Sequence, residues 1–278
     1  MAAEYTRRAL LMSTGGLLLA SAEGALPEPD KAGVAPGTVD LGTPEASLVG
    51  FIRMMASLEE EDVPWWYNGT VYAVIGEEQN PQALFTFSGM ELYLVTHLDD
   101  GTFELTGNTV TFFQDLNGNW LREYENPFTG KTNKVDAAVQ GGGPGRGFNL
   151  SVNGVRPTKL RDQIPDTPLK KWWSVAANHL WMNNDTIYPP GLSAPRAQSQ
   201  TMFVSIDKFN DPDLVRLPTV FSSTVTMPWQ EWMEMGDRPG HLLWHAAGAK
   251  LESVDELPGD YRRRAEAEHP ERMTVARE

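Results

Sequence analysis

The chain contains no cysteine. Disulfides, thiolate metal sites and a cysteine nucleophile are therefore excluded. No run of about 18 apolar residues occurs, so no segment is long and apolar enough to cross a membrane as a helix. Basic residues are scarce: 23 Lys and Arg stand against 37 Asp and Glu, a formal charge of −14. That balance disfavours general nucleic-acid binding. There are five histidines, and none falls in an H-E-x-x-H motif. A G-x-S-x-G nucleophile elbow is missing too. Gly141–Gly147 is glycine-rich, but no Lys-Ser/Thr follows it, so it reads as a flexible loop rather than a phosphate cradle. Asp115-Leu-Asn-Gly-Asn119 opens like a calcium loop and lacks the downstream Gly and Glu, so a hairpin turn explains it better.

What is present starts at the N-terminus. Thr6-Arg7-Arg8 precedes a largely apolar run, Ala9 to Ala20, that ends in Ala20-Ser21-Ala22. This resembles a twin-arginine export signal with a small-residue cleavage site, and implies a periplasmic or secreted protein. Residues 1–22 are accordingly set apart as a signal. Residues 23–44, rich in Pro, Gly and acidic side chains, read as a linker or extended arm. Residues 45–278 read as a single β-barrel-like domain.

Within that domain, Glu45–Glu60 carries Leu48, Phe51, Ile52 and Met55 at helical spacing, which predicts a helix. From Trp65 onward the periodicity shortens. Val71–Ile75, Ala83–Phe87, Met90–His97, Thr102–Leu105 and Thr109–Phe113 are rich in β-branched and aromatic residues. Gly76, Asn80-Pro81, Ser88-Gly89, Asp99-Asp100-Gly101, Gly107-Asn108 and Asn117-Gly118 read as the turns between them. Further strands are expected at Trp172–Ala177, Thr186–Tyr188, Thr201–Ile206, Thr219–Thr226 and His241–Leu251, and a terminal helix at Arg262–Glu268. Short turns join antiparallel neighbours. The expected fold is therefore mainly β: an antiparallel β-barrel or strongly curved sheet with a few peripheral helices.

Candidate chemistry is spread along the chain. His97 and His179 are possible general bases near neutral pH, although a structural role is the commoner one for any single histidine. His241 and His245 are four apart and share a face on either a helix or a strand. No third ligand is evident, so no metal site is expected. Tyr67, Tyr72 and Tyr93 lie on or beside early strands, where a phenol can donate to a developing oxyanion. Trp65, Trp66, Trp172, Trp173 and Trp181 are possible stacking walls, with core packing as the more frequent role. Residues 131–171 hold eight basic and three acidic residues, a local excess of +5. Most of these belong to a solvated surface; as a rim they would attract an anionic ligand.

The densest feature is Thr226–Gly240 followed by His241-Leu-Leu-Trp-His245, where Trp229, Trp232 and Trp244 fall in a short span. Rings of that size each bury roughly 150–250 Å², so the segment must close over a core or line a pocket. Three blocks carry a resemblance: Leu121–Gly130 with its Asn-Pro-x-Thr-Gly, Trp229–Gly240 with Trp-x-x-Trp-Met-x-Met-Gly-Asp-Arg-Pro-Gly, and Lys250–Pro258. Together they resemble a large family of bacterial and fungal proteins catalogued as a domain of unknown function, many with twin-arginine signals. The family's usual polar stretch with Asn-Asp-Pro is replaced here by Gly141–Gly147.

The chain is also similar to the phenylcoumaran γ-formaldehyde lyases of bacterial lignin-dimer breakdown. That resemblance implies an antiparallel barrel around a positively charged pocket. It implies a cofactor-free lyase that releases formaldehyde from an aromatic dimer by base-assisted retro-aldol chemistry. The residues nominated for this are His179 or His97 as base, Tyr67 or Tyr93 as donor, and Arg122 and Arg238 as phenolate or structural cations. Trp181, Asn178, Trp66 and Trp173 are the substrate-binding nominees, while Asn126 is expected to fix a turn. A non-catalytic, lipocalin-like binder of a small aromatic or apolar ligand is the competing reading, and a structural or partner-binding protein the third. The expected partners are a small aromatic molecule and, in a homodimer, a second copy; nucleic acid and membrane are not expected.

Overall fold

The computed structural model describes residues 41–76, 80–142, 147–158, 171–187 and 197–277. All of them fall in one compact unit, Gly37–Glu278. The export signal, most of the proposed linker, and Arg146, Lys159, Arg161 and Lys170 of the basic stretch lie outside the described residues.

Helix α1 (Pro44–Met55) starts where the sequence signals it: the Thr43 side chain accepts from the Ala46 amide at 3.2 Å, and Pro44 stands at the first position. Leu48, Phe51 and Ile52 are buried, as the spacing requires. The helix stops at Met55, short of the expected Glu60. Lys250 Nζ donates to Arg53 O at 2.9 Å and Ala56 O at 2.8 Å, satisfying carbonyls that a further turn would have used.

The strands are β1 (Val63–Val74), β2 (Gln82–His97), β3 (Phe103–Gln114), β4 (Glu123–Glu125), β5 (Thr132–Lys134), β6 (Ala138–Gly142), β7 (Phe148–Ser151) and β8 (Gly154–Pro157). After them come β9 (Lys171–Ala176), β10 (His179–Ile187), β11 (Ala197–Ser205), β12 (Val220–Met227) and β13 (His241–Lys250). Helix α2 (Ile206–Phe209) follows β11, and α3 (Gly259–Glu268) follows β13. Eleven strands form one antiparallel sheet in the order β8-β7-β3-β2-β1-β13-β12-β11-β10-β9, with β6 also paired to β3. β4 and β5 make a separate hairpin. The path ends at β8 and β9, so among the described residues the sheet is open rather than a closed barrel.

Two expected turns are absent. Ser88-Gly89 lies in the middle of β2 and Gly107-Asn108 in the middle of β3. Each glycine faces a tyrosine across the ladder: Gly89 opposite Tyr67, and Gly107 opposite Tyr93. A Cβ on Gly89 would overlap the Tyr67 ring, and one on Gly107 would come within 3.0 Å of Tyr93 Cδ1. The glycines are there to let phenol rings lie across the sheet, not to reverse the chain. The turn at Asp99–Gly101 does form, with Gly101 at φ 78°. Asp115 caps its own turn by accepting from the amides of Asn117 and Asn119.

Strand alternation divides the sheet into two faces. The inner face, covered by α1, holds Val63, Trp65, Tyr67 and Val71 of β1 with Phe85 and Phe87 of β2. The outer face holds Met90, Leu92 and Leu94 of β2 and Val110 and Phe112 of β3, covered by Tyr261 and Ala265 of α3. Tyr261 fixes this layer by donating to Val110 O at 2.7 Å.

Candidate active site

The inner face of β1, β2 and β3 carries a polar cluster inside an aromatic surround. Glu91 on β2 sits between Trp65 of β1 and Thr109 of β3 in register. Tyr93 Oη donates to Glu91 Oε2 at 2.7 Å. Among the described residues the other carboxyl oxygen, Oε1, has no hydrogen-bond partner. One row further, the Tyr67 hydroxyl crosses Gly89 and meets Thr111 Oγ1 at 2.7 Å. The Tyr67 ring is flanked by Phe87 at 6.1 Å and Phe221 at 6.4 Å between centroids, and Phe221 also packs on Trp65 at 5.4 Å.

The electrostatics follow from this placement. Burial pushes the Glu91 carboxyl above its ordinary range, opposed by the Tyr93 hydrogen bond. Burial, reinforced by the Glu91 charge, pushes Tyr67 well above the usual phenol range, against the Thr111 hydrogen bond. Two roles are thus separated: a carboxylate of raised basicity at Glu91 and a phenol, Tyr67, held in its protonated form. Lys250 lies in the same row, directly across from Trp65, with Nζ 5.4 Å from that ring. Burial, helped by Arg216, pushes its ammonium well below the ordinary range, but its donors are committed to the end of α1.

Tyr67 and Tyr93 are brought together here; the other sequence candidates are not. His97 is exposed at the end of β2, with Nε2 2.9 Å from Leu58 O and its ring against Phe103. His179 and Asn178 are exposed at the β9–β10 turn, where Asn178 donates to Asp207 Oδ2 at 2.8 Å. Arg122 is a surface residue paired to Glu268 at 2.6 Å. Arg238 donates to Phe128 O at 2.7 Å, which ties the Trp229–Gly240 segment to the Asn126–Gly130 block. Trp173 packs on Phe209 and donates to Ser47 Oγ at 3.0 Å beside α1. Trp66 and Trp181 point to the outer face. Lys131 and Lys134 of the basic stretch pair with Glu234 and Asp136 on the surface.

The aromatic segment packs on the same inner face, around Phe85 and Phe113. Trp232 packs against Phe85, Phe113 and Tyr124, all at 5.5–5.6 Å. Asn126 Nδ2 donates to Met233 O at 2.7 Å, so the Asn126–Gly130 and Trp229–Gly240 blocks clasp each other. Trp229 closes the clasp by donating to Arg238 O at 3.0 Å. His241 and His245 lie on the outer side of β13, and among the described residues no group of three His, Asp or Glu could hold a metal ion.

A family model described as "Protein of unknown function (DUF1838)" matches residues 60–141 and 178–277. The chain belongs to this family. The first matched stretch contains Tyr67, Glu91, Tyr93 and Thr111, and the second contains the aromatic segment. No curated protein matches the chain. Glu91 was missed in the sequence because Met90–His97 reads as an apolar strand. Its signal was a lone acid at a position whose neighbours two residues either way, Gly89 and Tyr93, face the core.

Proposed function

We propose that this member of the family is a cofactor-independent acid–base enzyme acting on a small aromatic substrate, with Glu91 as the base and Tyr93 and Tyr67 as phenol donors. The observation that carries this reading is Glu91: an inner-face carboxyl, held through one oxygen by Tyr93 and, among the described residues, with no hydrogen-bond partner at the other. A carboxylate whose proton affinity is raised by burial is suited to taking a hydroxyl proton. Phe87 and Phe221 flank the Tyr67 ring and Trp65 packs on Phe221, so the surround of this carboxyl is aromatic.

The reaction class we infer is formaldehyde release from a phenylcoumaran-type dimer. Opening the dihydrofuran breaks the Cα–O bond and leaves its electron pair on the aryl oxygen, which a phenol donor stabilises. The para-hydroxyl proton lost in forming the quinone methide balances the proton gained by that oxygen. Glu91 then removes the γ-hydroxyl proton. The O–H pair becomes the carbonyl of formaldehyde, the Cβ–Cγ pair becomes the stilbene double bond, and the arene recovers its aromaticity. The proton on Glu91 returns to the phenolate so formed. Dimer becomes stilbene plus formaldehyde, with no oxidant or reductant.

The test is incubation of the purified protein with phenylcoumaran and other lignin-type dimers, with formaldehyde assayed. The expected result is release from at least one dimer, lowered about 10²–10⁴-fold in Glu91→Gln, the range for loss of a general base. Absence of formaldehyde from all of them overturns the lyase reading. Tight binding of a dimer without turnover, unchanged in Glu91→Gln, would favour the non-catalytic binder.

A further inference from the structure

The outer face of the same sheet carries an ordered array that the proposed chemistry does not use. Cross-strand register places Asp185, Ser199, Thr224, His245, Thr70 and Thr86 side by side on β10, β11, β12, β13, β1 and β2. Gln114 continues the row on β3. At about 4.8 Å per strand, this row runs roughly 29 Å. A parallel row two residues away adds Asn183, Thr201, Ser222, Asn68 and Ser88. Next to it runs an apolar row: Trp181 and Phe203, with ring centroids 6.4 Å apart, and then Val220, which is 50% exposed. Beyond them, Trp66 meets Tyr261 of α3, where the helix begins to cover the face.

A groove of about 400 Å³ opens in the array between Asn68, Thr70, Thr86, Ser88 and Gln114. Ser88 already donates to Gln114 Oε1 at 3.0 Å and Thr86 to Asp115 O at 3.1 Å. The Asn68 amide and the Thr70 hydroxyl have no side-chain partner among the described residues, and Asn68 is exposed. In a chain of net charge −14, the two polar rows hold one carboxylate and no Lys or Arg. Such a surface offers nothing to a polyanion, which needs cations. Its amides and hydroxyls match a partner that both donates and accepts hydrogen bonds without charge. The aromatic strip matches one that also presents flat C–H faces.

We propose that this face binds an extended neutral β-linked glycan lying across the strands, with pyranose faces on Trp181 and Phe203 and sugar hydroxyls on Asn68 and Thr70. The two ends of the site are four strands apart, roughly 19 Å. It therefore takes an oligosaccharide of several units rather than a single sugar. The proposal is independent of the Glu91 chemistry, which lies on the opposite face.

The test is affinity electrophoresis of the full chain in gels containing hydroxyethyl cellulose, xylan or polygalacturonate. Retardation by one or both neutral polymers is expected, with none by polygalacturonate. Trp181→Ala and Asn68→Ala should each weaken retention about tenfold, the size of one lost aromatic or hydrogen-bond contact. Both variants should keep the parent melting temperature and any Glu91-dependent turnover. No retardation in either neutral gel overturns the proposal. So does retention that survives in the double variant, or retention by polygalacturonate alone.

Discussion

The two faces of one sheet, built from alternate residues of the same strands, have opposite characters. On β2, Gly89, Glu91 and Tyr93 face inward, where aromatic rings surround a single carboxyl. Thr86 and Ser88 face outward in a neutral polar array. The inner face concentrates perturbed groups, Glu91, Tyr67 and Lys250; the outer face repeats neutral polar side chains across many strands. Reaction chemistry needs a displaced proton affinity and exclusion of water, which burial supplies. Recognition of a long neutral chain needs repetition and access, which an exposed ladder supplies. A one-residue slip of register would exchange the two sets, so the pairing that positions Glu91 also positions the outer rows.

The largest expected effect comes from filling the space over which Tyr67 lies. Gly89→Val should displace the ring, cost about 1–3 kcal/mol by overpacking and abolish turnover. Urea unfolding and the formaldehyde assay check this together. Asn126→Ala removes the bond to Met233 O and should cost about 1–3 kcal/mol in the same unfolding measurement. It acts at the clasp beneath the inner face and should leave glycan retention unchanged. Tyr93→Phe is smaller, about tenfold in turnover, the scale of one lost hydrogen bond to a charged group. Its distinguishing sign lies in the pH profile. Tyr93 holds the Glu91 proton affinity down, so its loss should move the acid limb of the rate profile to higher pH.

These predictions rest on features of unequal legibility in the sequence. Helix α1, the run of antiparallel strands and the terminal helix could be read because their apolar periods are local. The clasp between Asn126 and Met233 could not, since a hydrogen bond spanning 107 positions leaves no local pattern. Ser88-Gly89 and Gly107-Asn108 misled because glycine serves both turns and close side-chain approach. Only the cross-strand register shows that Tyr67 and Tyr93 require them. The tyrosines could be nominated as donors from residue type, but their placement on one face with Glu91 depends on the pairing of β1, β2 and β3. His97 and His179 were attractive by residue type alone, and the fold leaves both on the surface.

The most direct test of the central claim needs no substrate. Burial raises the Glu91 proton affinity, so the native state binds more protons than the unfolded chain as pH climbs from the ordinary carboxyl range through the raised value. Stability contributed at this position is therefore lost as pH rises, and a neutral glutamine escapes that loss. Thermal melts of the parent and Glu91→Gln should nearly coincide at pH 4. The variant should then gain on the parent as pH rises above the ordinary carboxyl range. A melting-temperature difference that stays flat with pH, or favours the parent at pH 8, would contradict a carboxyl of raised proton affinity on the inner face.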